Sequence, residues 1–193
     1  MAAPKTVNIH DLTGTYILNR SLSDDTDAIL ALQGIGWLTR KVISTMTITL
    51  HTKQYKDEQG LEHIDIEQPG VGFKTTELRT LDGQWREHED YVFGAVKGKS
   101  IFIKTADLNG QDPDEAYLKE GWNEETASGD VVESVAESIK NGWAARQIWG
   151  FEEVEVNGKK ERRYVRHIVV KKKEKTIHAK LVYDFQEPSA VST

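Results

Sequence analysis

The sequence has no cysteine, only four prolines and two methionines in 193 residues, and no apolar run near the ~20 residues that a membrane-spanning helix requires. Without cysteine there is no disulfide framework, no thiol nucleophile and no cysteine-ligated zinc. That composition suits a reducing compartment, and a cytoplasmic location is expected. Met1 to His10 lacks the uninterrupted apolar stretch of a secretory signal. Positive charge is also in deficit: 25 Lys plus Arg against 31 Asp plus Glu leave a formal charge of −6. Neither nucleic acid nor stable membrane insertion is therefore expected. The one basic block, Lys171-Lys172-Lys173 with Lys175, falls between two strand-like runs and reads as a solvated hairpin turn.

Chemical motifs are equally scarce. There is no phosphate loop, no Gly-x-Ser-x-Gly elbow and no His-Glu-x-x-His. His10, His51, His63, His88, His167 and His178 are scattered along the chain, so no metal site is expected, and nothing calls for a cofactor.

What is present is a succession of short alternating segments separated by turn dipeptides, the pattern of an antiparallel meander. Asp82-Gly83, Asn109-Gly110, Asn141-Gly142 and Asn157-Gly158 all offer residues that accept positive φ. Glu58-Gln59-Gly60, Gln68-Pro69-Gly70 and Lys97-Gly98 add looser turns. Between them the pattern predicts ten strands, near 11–20, 46–56, 61–68, 72–80, 84–93, 97–105, 114–122, 143–155, 161–171 and 175–185. Val131 to Lys140 suits either a helical turn or a further strand, with strand preferred. After the first strand, Ser23-Asp24-Asp25, the apolar Ile29, Leu30 and Leu32, and Gly34 as a stop predict a short helix. A second follows from about Gly36 to Ser44. Helices this short must bury an apolar face to persist. The expectation is one domain over 1–193: an all-β, up-and-down antiparallel barrel of about ten strands with a helix-turn-helix lid at about 23–44, additions within about 106–140, and a frayed tail over 186–193.

Leu12-Thr13-Gly14-Thr15-Tyr16-Ile17-Leu18, the Ser-Asp-Asp helix start and Gly34-Ile35-Gly36-Trp37-Leu38-Thr39-Arg40-Lys41-Val42 together resemble the opening of the intracellular fatty-acid-binding proteins. The sequence is also similar to fungal lipocalin-like proteins of the broader calycin group. The resemblance covers roughly residues 11–56, and more weakly the closing Leu181-Val182-Tyr183-Asp184. It implies a ten-stranded barrel, an internal cavity under a helical portal, and non-covalent carriage of lipids. It also implies that Trp37 lies at the portal, where it could touch ligand. One departure stands out. Members that bind a carboxylate carry Arg-x-Tyr on the last strand, and here Leu181 stands in the arginine's place before Tyr183.

Alternation assigns faces without help from the family. In the last strand Ile177, Ala179, Leu181, Tyr183 and Phe185 share the apolar, inward face; around 143–153 the inward set is Trp143, Ala145, Gln147, Trp149 and Phe151. Gln147 and Tyr183 are then polar groups in an apolar lining and need hydrogen-bond partners, from ligand, water or each other. Both faces of 161–171 are mixed. If Tyr164 and Arg166 point inward, Arg166 can anchor an anion in place of the missing arginine; if outward, Arg166 is an exposed residue on the barrel exterior. Arg86, His88 and Asp90 pose the same alternative as a polar cavity floor. Five tryptophans, Trp37, Trp85, Trp122, Trp143 and Trp149, could wall a hydrophobic ligand or simply fill the core.

Two functions fit. The first is binding or carriage of a hydrophobic small molecule (lipid, polyketide or terpenoid-like), with Trp37, Trp122, Gln147, Trp149, Tyr164, Arg166, Leu181 and Tyr183 as ligand-contacting candidates. The second is a cofactor-independent cyclase, isomerase or pericyclase of secondary metabolism using the same cavity, with Tyr183, Gln147, Arg166 and His88 as catalytic candidates.

Overall fold

The turn chemistry places most of the chain. In the computed structural model, which describes residues 1–69 and 74–187, Asn157 and Gly158 both have positive φ (51° and 74°) and join β8 (Ala144–Val156) to β9 (Lys159–Lys172) as a two-residue hairpin. Lys173 (φ 54°) does the same between β9 and β10 (Lys175–Gln186), so the basic block is a hairpin turn. Asn141-Gly142 turns β7 (Asp130–Ser138) into β8, which resolves the ambiguous segment as strand. The earlier strands are β1 (Gly14–Leu18), β2 (Thr49–Lys56), β3 (Glu62–Pro69), β4 (Lys74–Thr80), β5 (Arg86–Asp90) and β6 (Gly94–Lys104). Gly70 of one expected turn, the start of the strand expected from 72, and the tail from 188 onward lie outside the described residues.

All ten strands form one antiparallel sheet in the order β4-β3-β2-β1-β10-β9-β8-β7-β6-β5. It curls into a nearly closed barrel whose two edges, β4 and β5, are not paired to each other. The Asp82-Gly83 turn bridges that seam, Gly83 N–H donating to the Ser100 carbonyl on β6 at 2.9 Å. This is the calycin, fatty-acid-binding-protein-like fold that the N-terminal motifs implied.

Two expectations are corrected. Lys97-Gly98 is not a turn: Gly98 lies within β6 opposite Ala136, and the chain reverses instead before Gly94 (φ 71°). The strand expected at 114–122 is a helix, α3 (Pro113–Lys119), in the sequel of the lid helices α1 (Asp27–Leu32) and α2 (Trp37–Thr45) and followed by α4 (Glu124–Ser128). The reason is local. The Asp112 carboxylate accepts from the Asp114 and Glu115 N–H groups, Pro113 occupies the first turn, and Lys119 ends the helix. Asn109-Gly110 accordingly leads into a helix and not around a hairpin.

Three apolar clusters hold the fold. At the end opposite the lid, Ala3, Val7, Ile9 and Leu12 of the N-terminal segment plug the barrel against Tyr16, Leu50, Ile64, Ile66 and Phe151. Ala3 N–H donates to the Arg162 carbonyl at 2.7 Å and Phe185 N–H to that of Met1 at 3.0 Å, which ties the plug to β9 and β10. Under the lid, Ile29 packs with Trp143, Ala145, Ile168, Val170 and Ala179. The third cluster is outside the barrel wall, where Leu118 of α3 covers Val131, Ile148 and Val169. Residues 162–170 of β9 are therefore buried on both faces. Where β8 runs past the start of β7, the Phe151 ladder groups are taken by Asn123 N–H and the Thr126 hydroxyl, so α4 finishes the wall.

The lid differs from its expected packing. Ile29 and Leu30 of α1 are buried, but α2 buries no residue, and Trp37, Leu38 and Val42 stand exposed. Arg40 fastens α2 to α1 through Asp27 and the Ile35 carbonyl.

Candidate functional site

The register sets the inner wall. Trp149 on β8 lies beside Arg166 on β9, and Arg166 beside Leu181 on β10; Phe151 lies beside Tyr164, and Tyr164 beside Tyr183. Trp149, Tyr164 and Tyr183 belong to the inner core, so Arg166 shares the inward face and its exterior placement is excluded. It is 6% exposed.

Around it stands a polar cluster in an otherwise apolar barrel. The Arg166 guanidinium lies 4.0 Å from the centre of the Trp149 ring, and Arg79 of β4 lies 5.1 Å from the same ring. Such stacking is worth up to about 2 kcal/mol when water is excluded. Arg166 Nε donates to the Tyr164 hydroxyl at 3.0 Å. Trp149 Nε1 donates to Gln147 Oε1 at 3.0 Å. Arg79 pairs with Glu77 at 2.6 Å and reaches across to the Ser134 hydroxyl on β7 at 2.7 Å.

Ionisation in this cluster is fixed by its own members. Burial opposes the charge on Glu77, but Arg79 and then Arg166 outweigh it and hold the carboxyl below its usual range. Burial also opposes charge on Arg166, but the Glu77 carboxylate and the hydrogen bond to the Tyr164 hydroxyl favour it, and it remains a cation. Burial pushes the Tyr183 phenol up to about 12 and raises that of Tyr164. Both phenols are protonated at neutral pH. Two guanidinium charges against one carboxylate leave this group of side chains with one net positive charge. Glu77 is surrounded by protein, yet 35% of its side chain stays accessible. It stands on the unpaired edge strand β4, at the seam of the barrel.

The cluster brings together Gln147, Trp149, Tyr164, Arg166, Leu181 and Tyr183 from the sequence-derived candidates. Glu77 and Arg79 are additions that sequence reasoning missed. Other candidates go elsewhere. Trp122 stands on the outside of the wall, stacked on His167 at 4.1 Å with its ring against Gly150, because the segment before it is helix and not barrel strand. Trp37 is 63% exposed on the unburied α2. Arg86 forms no cavity floor: it pairs with Asp82 at 2.6 Å in the seam turn, while Asp90 caps the Val92 and Phe93 N–H groups. His88, opposite Val96 on the edge strand β5, is exposed but close enough to Glu77 to help lower it. Trp143 is buried beneath the lid, and Trp85 lies at the surface under Lys97 and Lys99.

A second buried polar group sits on the outer face of the same strand. His167 Nε2 meets Glu152 Oε1 at 2.6 Å, its Nδ1 meets the Tyr117 carbonyl at 3.1 Å, and Lys180 holds the other Glu152 oxygen at 3.1 Å. No cluster of three or more metal-ligating side chains stands among the described residues. No described helix is long and apolar enough to cross a membrane.

No family model matches the chain. Among curated proteins, it is 32% identical over 190 residues to the Mollisia scopiformis protein named "Probable pericyclase scpY", covering 97% of this chain and 96% of that one. It is 26% identical over 193 residues to the pericyclase pydY of Acremonium sp, covering 98% and 100%. Among solved structures, human cRBP IV superposes with a TM-score of 0.52 at 14% identity, covering 90% of this chain and 97% of that one. A mutant of the REP1-NXSQ fatty acid transporter gives 0.53 at 15% identity, covering 91% and 98%. At those identities the structural likeness establishes the fold alone.

Proposed function

The chain belongs to the family of the probable pericyclase scpY and the pericyclase pydY, and from that premise we propose that it is itself a cofactor-independent pericyclase of secondary metabolism acting on a hydrophobic molecule held inside the barrel. The sequence ranked carriage first; full-length kinship with named pericyclases favours catalysis, whereas the lipid-binding proteins share only the fold. The observation that carries the reading in this chain is the polar platform of Trp149, Arg166 and Arg79 at the heart of an apolar barrel.

The chemistry asks little more. A pericyclic step exchanges π for σ bonds around a closed ring of atoms, with nothing gained or lost, so no nucleophile or base is required. Holding the reacting termini together supplies much of the barrier reduction. Fixed donors aimed at an atom that gains charge supply a further part, and they act more strongly where water is excluded. In this reading Trp149, Leu181 and Tyr183 shape the folded substrate, Gln147 and Arg166 donate to it, and Glu77 holds Arg79 in place. His88, at the seam, acts through Glu77. Expelling the product past α1 and α2 completes the cycle.

The test uses the source organism. Deleting the gene should leave an extract enriched in an isomer of unchanged mass, and adding purified protein to that extract should convert the isomer with saturation kinetics. A metabolite profile unaltered both by deletion and by added protein overturns the proposal.

A further inference from the structure

We propose that His167 is a pH-sensitive latch for the α3–α4 segment on the outer wall: its ring carries a hydrogen on both nitrogens while the segment is docked, and the segment loosens as alkali removes one of them. The latch lies outside the barrel and does not depend on the reaction proposed above.

A helix leaves its last carbonyls without donors of its own. In α3 the Ala116 carbonyl takes the Glu120 N–H at 3.1 Å, the Leu118 carbonyl takes the Trp122 indole N–H at 3.0 Å, and the Tyr117 carbonyl faces His167 Nδ1 at 3.1 Å. A carbonyl offers only lone pairs, so Nδ1 must carry a hydrogen there. The other nitrogen also faces an acceptor. Lys180 can only donate, and its ammonium, 3.1 Å from Glu152 Oε2, favours the ionised carboxyl; Oε1 then accepts from His167 Nε2 at 2.6 Å. Hydrogen on both nitrogens makes the ring an imidazolium. That charge suits the carboxylate on one side and the carbonyl end of a helix on the other.

The chain closes tightly over the pair. His167 and Glu152 are both buried, with Trp122 stacked on the imidazole at 4.1 Å and Tyr117 tilted against it at 5.3 Å. Gly121 (φ 84°) makes the close approach possible, since a Cβ there would stand 3.1 Å from Glu152 Oε1 and 3.7 Å from His167 Cε1.

Loss of one hydrogen has no good remedy in this arrangement. The short charge-assisted bond to Glu152 keeps the hydrogen on Nε2, so Nδ1 gives up its own and turns a lone pair toward the Tyr117 carbonyl. The two repel, and a buried carbonyl left without a donor is costly. Moving α3 away relieves both. The latch therefore holds at lower pH and releases as pH rises through the titration of the ring.

The groups facing the ring are few. Glu152 on β8 favours the doubly protonated form and Lys180 on β10 opposes it. His178 on β10 stands beyond the Tyr117 ring and is engaged by Asp114, which also holds Lys171. Burial, with Asp24 and Glu152 adding to it, raises the Tyr117 phenol, so that group stays neutral. Val165 and Val169, the neighbours of His167 on the same face of β9, carry no charge.

The test is proton–nitrogen correlation NMR of the purified full-length protein with isotope-labelled histidine rings, titrated from mildly acid to alkaline pH, His167 being assigned through its contacts to the Trp122 and Tyr117 rings. At neutral pH both of its nitrogens should carry hydrogen. Raising the pH should remove the one on Nδ1 in a single step. In that same step amide exchange at Ala116 and Glu120, corrected for its intrinsic pH dependence, should quicken at least about tenfold, the factor that one lost hydrogen bond supplies, while the inner barrel amides stay protected. Lys180→Met removes the opposing cation without touching the ring, and should move the step to higher pH. His167→Gln should abolish it. A bare ring nitrogen at neutral pH overturns the proposal, and so does exchange in α3 that is indifferent to the step. A step that stays in place or falls to lower pH in Lys180→Met overturns it as well, because the charge of the ring is then not what holds α3. Should His167→Gln fold poorly, the unaltered protein and Lys180→Met decide between these outcomes alone.

Discussion

Arg166 and His167 are neighbours in sequence on opposite faces of one strand, and both are buried, yet they are treated very differently. On the outer face His167 has a partner at each ring nitrogen and Glu152 has one at each oxygen; both side chains are buried, while Lys180 reaches the surface. On the inner face Arg166 keeps a nitrogen with no partner. A buried charge whose bonds are complete holds structure together, and removing one member leaves the others stranded. A buried charge whose bonds are incomplete contributes little to stability and waits for something else. The comparison can be broken by mutation, and the outer face carries the larger effects.

Glu152→Ala should be the most damaging. It strips His167 of one partner and leaves Lys180 without its carboxylate, and breaking a buried pair in this way costs about 3 kcal/mol or more. Urea denaturation should report that loss as a lower midpoint at unchanged slope. A change under about 1 kcal/mol would mean that the outer cluster is not structural.

Gly150→Ala comes next. A Cβ there would stand 2.5 Å from the Thr126 methyl and 3.2 Å from the Trp122 ring, so α4 or the indole must move. Overpacking of this kind costs about 1–3 kcal/mol, and it should alter Trp122 fluorescence.

A pH effect should follow at the edge of the same face. The Asp114 carboxyl is held below its ordinary value chiefly by its hydrogen bond to Lys171, against burial and with help from His178. A depressed carboxyl contributes stability that is complete above its unfolded value of about 4 and is lost as pH falls through the folded value. The docking of α3 should therefore loosen below about pH 4, and Asp114→Asn should flatten that dependence.

How much of this was legible in the sequence follows from which faces are covered. β10 and β8 have one apolar face each, so alternation placed Leu181, Tyr183, Gln147 and Trp149 inward without a structure. In β9 alternation has nothing to report, because α3 and α4 bury the outer face as thoroughly as the barrel buries the inner one. The helix signal at Asp112-Pro113 was present but was outweighed by the rhythm of strands on either side. In β4 the pattern is inverted: Leu78 is 73% exposed, while Glu77 and Arg79 face the interior opposite Ile66 and Ile64. A hydrophobic-inside rule turns that strand the wrong way, and only its register with β3 corrects it. The N-terminal plug was hidden for a different reason. Its four buried residues are spaced too irregularly to follow either a helical or a strand period.

A smaller effect of opposite sign is expected at Tyr117. Its ring is stacked 4.4 Å from His178 and lies tilted 5.3 Å from His167, but its hydroxyl is buried without a partner. Tyr117→Phe keeps the stacking and removes an unmet polar group, so thermal unfolding should show a gain of up to about 1 kcal/mol.

Arg166→Met should move stability least of all. Methionine fills similar volume and packs on the Trp149 ring as the guanidinium does. Arg166 makes no direct ion pair, so its removal strands no carboxylate and relieves the desolvation cost of a buried ion. The expected change is within about 1 kcal/mol, or a gain, measured by the same urea titration as Glu152→Ala. Tyr164 loses one hydrogen bond in the exchange but keeps its packing against Tyr16 and Tyr183. A loss as large as that of Glu152→Ala would make Arg166 a structural residue after all, and the unpaired nitrogen would then be a tolerated defect in the core. A variant as stable as the parent would instead separate the two faces of β9 by their part in stability.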